Sequence, residues 1–199
     1  MSAGTATTTT PENMRPTILL IPAAWFPPSA YDAFLHAVRD AGYETECASY
    51  PSLNPKDPKH ADAATDTLFV IRNYLIPLIE IEQKNVVIVM HSYGGIPGSG
   101  AATGFGKAAR QHQGRKGGVV GLVHSSGFVL PQGLSCADGQ GGSLPPWIKE
   151  NYPLPGLTLP EDPINFFSAD VTPAVAQAYV SQILPHALLI FKSSAFKPA

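Results

Sequence analysis

An uncharged apolar run, Val86-Val-Ile-Val-Met90, passes directly into His91-Ser92-Tyr93-Gly94-Gly95, and this junction limits the fold more than any other stretch of the chain. The β-branched residues and the lack of charge argue for a strand buried in a sheet. The glycines just after the serine argue for a sharp turn into a helix, where a crowded backbone excludes larger side chains. Such a turn exposes the serine hydroxyl, which a nucleophilic serine requires. Met90 occupies the position at which the G-x-S-x-G pattern carries its first glycine. The pattern is therefore met only on the C-terminal side of Ser92.

The remaining segments supply the layers that this junction needs. Ile18-Leu-Leu-Ile21, closed by Pro22, and Gly118-Val-Val-Gly-Leu-Val-His124 are further short apolar runs, suited to buried parallel strands. Tyr43 to Ser49 alternates enough for an outer strand. Tyr31, Phe34, Leu35 and Val38 share one face of a helix over Ser29–Ala41, with Ser29 as N-cap and Gly42 as stop. Asp62–Glu82 reads as a long helix that Pro77 should kink or split. Gly94–Arg110 reads as a helix, whole or partly broken. Alternating strands and helices predict an α/β fold with a mainly parallel sheet and flanking helices. In such sheets ligands bind beyond the carboxyl ends of the strands, where both His91-Ser92 and His124-Ser125-Ser126 stand.

Beyond Phe128 prolines and glycines crowd the chain, and regular core strands are not expected there. Residues from about 128 to 186 are expected to form a Pro-rich lid carrying Trp147, Phe166 and Phe167. Within it, Thr172–Leu184 regains helical periodicity, with Pro173 at the first helical position. Ala187-Leu-Leu-Ile-Phe191 fits either a strand or a buried helix end. The Thr/Ala/Pro-rich residues 1–16 are expected to be a disordered lead, and residues 17–199 a single domain.

Composition removes several classes of function. The formal net charge is −2 and no Lys/Arg stripe is present, so no nucleic-acid partner is expected. The six histidines form no H-x-x-x-H or H-E-x-x-H pair, so no metal site and no cofactor are implied. Cys47 and Cys136 are expected to be reduced thiols. No apolar run approaches membrane-spanning length and no secretory leader is seen, so a cytoplasmic location without membrane association is expected.

These segments together resemble the α/β-hydrolase family, and within it small esterases similar to plant methylesterases and to fungal hydrolases. That family places an H-G-A-W-like segment after its first core strand, and Ile21-Pro-Ala-Ala-Trp25 is similar to it with Pro22 and Ala23 for His and Gly. It places a G-H-S-x-G-G elbow later, similar to Met90–Gly95. Val119–Pro131 is similar to the family's next strand and its exit into the lid. The resemblance covers about Thr17 to Pro185. It implies a serine hydrolase acting on a small ester, thioester or lactone, in a setting such as secondary-metabolite biosynthesis. Ser92 would be the nucleophile, with the backbone N–H groups of Tyr93 and Ala24 as oxyanion donors. Trp25, Phe26 and Trp147 would shape the substrate pocket.

The family's acid and histidine follow two further core strands beyond the lid, and Ala199 is reached first. The substitutes for the base are His186, at the end of the lid-like helix, and His124, at the end of a core strand; His112 sits in a polar loop. Asp138, Glu150, Glu161, Asp162 and Asp170 are the later acids, and none stands out. Two alternatives therefore stay open: a lyase or cyclase using the same pocket without acylation, and an inactive hydrolase-like binding protein. A sheet ending at the Gly118–His124 strand would leave an uncovered apolar edge, favouring self-association.

Overall fold

Strands β1 (Thr17–Ile21) and β3 (Asn85–His91) pair in parallel, with Ile21 opposite Met90 at their carboxyl ends. This pairing is the centre of a four-stranded parallel sheet in the order β2-β1-β3-β4, with β2 at Thr45–Cys47 and β4 at Gly118–Ser125. The computed structural model describes residues 15–167 and 170–196. Most of the expected N-terminal lead lies outside them, as does the side chain of Phe167.

Burial follows the pleat. Val86, Ile88 and Met90 are fully buried on one face of β3, while Val87, Val89 and His91 are half-buried on the other. The apolar, β-branched run thus forms a strand covered on both sides, more tightly on one.

The helices depart from expectation where backbone chemistry intervenes. α1 (Asp32–Asp40) is preceded by a tight turn over Pro28–Tyr31, so Ser29 is not its N-cap; the Ser29 hydroxyl donates instead to Gln182 Oε1 at 3.0 Å. Gly42 follows the helix with φ +85°, a conformation that suits a residue without Cβ and ends the helix there. α2 (Ala63–Val70) is capped by the Asp62 side chain, which accepts from Thr65 N–H at 2.8 Å. It then continues as a wider π-wound segment, Ile71–Ile81, containing Pro77. Proline lacks an N–H and crowds the carbonyl one turn earlier. The wider winding accommodates it, and Glu82 N–H bonds the Pro77 carbonyl at 3.0 Å. The helix is therefore neither split nor regular. α3 (Gly95–Ala102) and α4 (Lys107–His112) are the two pieces of the broken Gly94–Arg110 helix.

The Pro-rich stretch corrects one expectation. Besides α5 (Cys136–Gly139), α6 (Pro163–Phe167) and α7 (Pro173–Val180), it yields a second, antiparallel sheet of β5 (Ile148–Glu150), β6 (Leu157–Pro160) and β7 (His186–Ala187). These strands are short enough to fit between prolines, and Pro160 falls at the end of β6. The ambiguous terminal segment resolves into β7 and a short helix α8, Leu189–Lys192.

Among the described residues β4 is an edge strand, and Val120, Leu122 and Val123 are each about half exposed. Unpaired edges of this kind template pairing with another chain. Sedimentation velocity is expected to show concentration-dependent association of the wild-type chain. Leu122→Lys should reduce it, while changing unfolding stability by less than ~1 kcal/mol. Association undiminished in that variant would remove β4 as the contact.

Candidate active site

Ser92 stands at the turn after β3 with φ +50°, in the left-handed region. For a residue with a Cβ this costs of order 1–3 kcal/mol and persists only where the surroundings impose it. The surroundings are visible. Phe128 N–H donates to the Ser92 carbonyl at 3.0 Å. A Cβ on Gly94 would lie 2.7 Å from the Pro22 carbonyl oxygen and closer still to that of Ile21. A Cβ on Gly95 would lie 2.6 Å from Phe128 N and against its carbonyl oxygen. Gly94 thus lets the elbow close on the loop after β1, and Gly95 lets it close on the turn after β4. The chain then winds through a short turn, Ser92–Gly94, into α3. Tyr93 N–H lies in this first turn, where intrahelical acceptors are lacking.

The loop after β1 presents its N–H groups in different directions. Ala23 N–H donates to the Tyr31 hydroxyl at 2.8 Å, and Trp25 N–H to His186 Nδ1 at 2.9 Å. Between them, Ala24 N–H meets no acceptor among the described residues. Trp25 has φ +67° and is pinned on three sides. Besides its N–H, its carbonyl accepts from Leu184 N–H at 2.9 Å and its indole N–H donates to the Thr158 carbonyl at 3.1 Å.

The two loops open on one cavity of about 280 Å³. Ala23, Ala24, Trp25 and Phe26 form one wall, His91 and Ser92 another, and Trp147 and Tyr179 close it. Trp147 meets Trp25 edge-on at 5.9 Å between ring centroids. The expected pocket residues Trp25, Phe26 and Trp147 are therefore all brought to Ser92. So is His91, the neighbour of Ser92 in sequence. Its Nδ1 is 2.8 Å from the Tyr31 hydroxyl, and burial lowers its pKa below the ordinary 6.5.

The two candidate bases are not brought there. His186 is fully buried and its ring nitrogens are both engaged, Nδ1 by Trp25 N–H and Nε2 by Ser52 Oγ at 2.7 Å. His124 lies at the end of β4 beneath the Gly127 turn, its Nδ1 buried without a partner among the described residues. Neither lines the Ser92 cavity. The later acids are also spent elsewhere. Asp138 completes a capping box with Ser135, Glu150 pairs with Lys192, Glu161 with Lys149, and Asp162 bonds Asn165. Asp170 is exposed.

A buried polar chain that sequence reasoning missed lies behind the cavity wall. Asp66 Oδ2 accepts from Ser52 Oγ at 2.5 Å and from Tyr93 Oη at 2.7 Å, and its Oδ1 accepts from Ser52 N–H at 3.3 Å. Ser52, Asp66, Tyr93 and His186 are all fully buried. Because His186 Nδ1 accepts from Trp25, a neutral imidazole carries its proton on Nε2 and donates it to Ser52. Burial raises the Asp66 pKa to about 7 and lowers that of His186 to about 3. One signal was available: Asp66 falls among Ala63, Ala64, Thr67 and Val70, the buried residues of α2. Ser52, Asp66 and His186 are the residue types of a catalytic triad, but here the serine lies between acid and imidazole, out of contact with solvent.

Residues 18–196 match the description of the alpha/beta hydrolase family, so the chain belongs to that family. It is 30% identical over 122 residues to an Aspergillus novofumigatus protein described as "Alpha/beta hydrolase nvfD", which covers 61% of this chain and 47% of that protein. It is 28% identical over 128 residues to a "Probable hydrolase R7" of a Phoma species, covering 64% of this chain and 49% of that protein. The chain thus spans about half the length of these curated relatives. Among solved structures, a methylesterase from Arabidopsis superposes with a TM-score of 0.62 at 11% identity, over 93% of this chain and 72% of that one. No helix among the described residues is long and apolar enough to cross a membrane.

Two outcomes test the site's construction. Gly94→Ala pushes a methyl group against backbone carbonyls that cannot rotate away. It should destabilise the chain by ~1–3 kcal/mol in urea unfolding, whereas an unchanged midpoint would mean the elbow does not pack as described. The second concerns pH. The folded chain keeps a proton on Asp66 that the unfolded chain releases from pH 3.8 upward, so this stabilisation is lost as pH rises through about 7. The folded chain refuses His186 a proton that the unfolded chain binds below 6.5, so that contribution is lost as pH falls toward about 3. Between pH 4.5 and 6 the two oppose each other. Asp66→Asn should leave stability rising with pH in this window more steeply than wild type, by up to ~1.4 kcal/mol per pH unit. His186→Phe should tilt it the opposite way. Identical slopes in all three proteins would show that neither group is perturbed.

Proposed function

We propose that the chain is a serine hydrolase acting on a small, largely apolar ester, thioester or lactone, with Ser92 as the acylated nucleophile. The observation that carries this reading is the convergence on one cavity of a serine held at positive φ and the open N–H of Ala24. Ser92 Oγ attacks the acyl carbon, the C–O or C–S bond to the leaving group breaks, and the hydroxyl proton passes to the leaving oxygen or sulfur, which is released as alcohol or thiol or, from a lactone, stays tethered to the acyl chain. Water then cleaves the acyl-enzyme, freeing the acid and returning a proton to Ser92 Oγ. The carbonyl oxygen gains negative charge during attack, and Tyr93 N–H and Ala24 N–H are the donors this reading assigns to it. Trp25, Phe26 and Trp147 supply an apolar surface for the acyl group. The likeness to a methylesterase favours an ester substrate, and a tailoring step in metabolite biosynthesis is the setting that the family resemblance suggests.

Among the described residues no carboxylate–imidazole pair is hydrogen-bonded to Ser92. His91, whose pKa burial lowers, lines the cavity with Ser92.

A fluorophosphonate probe followed by peptide mass spectrometry tests the reading. The adduct is expected on Ser92 and should vanish in Ser92→Ala. A folded wild-type chain that takes no label would remove the covalent mechanism and favour a lyase or cyclase using the pocket alone. Label that survives Ser92→Ala would place the nucleophile elsewhere.

A further inference from the structure

The buried chain of Asp66, Ser52 and His186 ends at both of the segments that supply oxyanion donors. One end is Tyr93, whose side chain donates to Asp66 while its N–H heads the elbow turn. The other is Trp25, whose N–H is held by His186 next to the open N–H of Ala24. The links between are 2.5 Å from Ser52 Oγ to Asp66 and 2.7 Å from Ser52 Oγ to His186. From Trp25 to Asp66 the donors run one way. Trp25 N–H donates to His186, His186 Nε2–H to Ser52, and Ser52 O–H to Asp66, where Tyr93 O–H arrives from the other side.

We propose that Asp66 and Ser52 are positioning residues that hold the Ala24 and Tyr93 N–H groups at a fixed separation. The inference rests on the serine-hydrolase reading for its purpose, although its geometry stands apart from it. Three observations carry it. The two segments are the places where non-glycine residues of the cavity wall take positive φ, Trp25 at +67° and Ser92 at +50°. Backbone held in that region relaxes unless something resists it. The resisting elements come from distant parts of the chain: Ser52 from the loop after β2, Asp66 from α2 and His186 from β7. And they are polar where apolar packing would stabilise at least as well, since a buried polar network adds orientation more than net stability. Tyr50 strengthens the same clamp. Its ring lies against those of Tyr93 and His186, at 5.5 and 5.9 Å, and its hydroxyl donates to the Pro22 carbonyl at 2.7 Å.

The chain has a weak point at its centre. Ser52→Ala removes one hydroxyl, cuts the link between His186 and Asp66 and leaves a small side chain that any buried site admits. Ser52→Thr keeps the hydroxyl and serves as the rescue. Two measurements on the full chain read the result. The first is the rate of Ser92 labelling by a fluorophosphonate, together with kcat and KM for p-nitrophenyl acetate. Ser52→Ala should slow labelling and lower kcat by roughly 10- to 100-fold, the scale of a small misplacement of catalytic groups. KM should move less than about twofold, and Ser52→Thr should recover most of the loss. The second is the amide ¹H–¹⁵N spectrum with hydrogen exchange. In Ser52→Ala the Ala24, Trp25 and Tyr93 amides should shift, and Trp25 should lose protection, while amides of β4 stay in place.

The proposal is overturned if those amides are unmoved, or if labelling and kcat are unchanged in Ser52→Ala while the wild type reacts. A wild type that neither labels nor turns over removes the hydrolase reading instead. The amide spectrum then still decides whether the clamp exists.

Discussion

Everything at the site depends on the parallel pairing of β1 with β3. Because Ile21 stands opposite Met90, the chain leaves both strands at the same height and on the same edge of the sheet. The loop from Pro22 to Trp25 and the elbow from His91 to Tyr93 therefore become neighbours without any side chain having to pull them together. Gly94 then sets how near they come, since its missing Cβ leaves room for the carbonyls of Ile21 and Pro22. A slip of one residue in this register would turn Val86, Ile88 and Met90 to the opposite face and carry the serine away from Ala24. Burial of those side chains protects the register, and the register protects the site.

Proximity alone does not set direction, and the loop after β1 shows how direction is obtained. Three successive N–H groups need three fates. The Tyr31 hydroxyl accepts the first and His186 the third. The middle one, on Ala24, has no acceptor among the described residues, and Ala24 lines the cavity. Tyr31 has a second task, because its hydroxyl also faces His91 Nδ1. The same ring that orients the loop thus orients the imidazole beside Ser92, and a change at Tyr31 would be felt on both walls of the cavity.

The central sheet and the elbow were legible in the sequence because their causes are local. An uncharged β-branched run, a serine and two glycines adjoin one another, and the turn they form needs no distant partner. Ala24 was legible only through family likeness, since nothing in Ile21–Trp25 by itself says which N–H is left open. Asp66, Ser52 and His186 were not legible as a group. They are separated by 14 and 134 residues, and their contacts are made by tertiary packing. The usual chain order of a triad puts acid and histidine after the serine, and Asp66 and Ser52 both precede Ser92. Pro77 and the prolines after Phe128 misled in a different way. Proline forbids particular hydrogen bonds rather than whole elements, and a π-wound turn or a strand of a few residues avoids the forbidden bond.

His186 shows why residue type is a poor guide to role. In a nucleophilic triad the imidazole stands between acid and serine, because it must take a proton from one side while the acid steadies the other. Here the serine stands in the middle, and the imidazole faces a backbone N–H. An imidazolium would carry a proton on Nδ1 directed at the Trp25 N–H, two donors meeting with no acceptor between them. The same bond that makes His186 useful in holding Trp25 therefore opposes its taking up a proton, in the direction that burial already favours. A group that takes up a proton so reluctantly is a poor general base. Its contribution to any chemistry at Ser92 must pass through position, by way of the loop it holds.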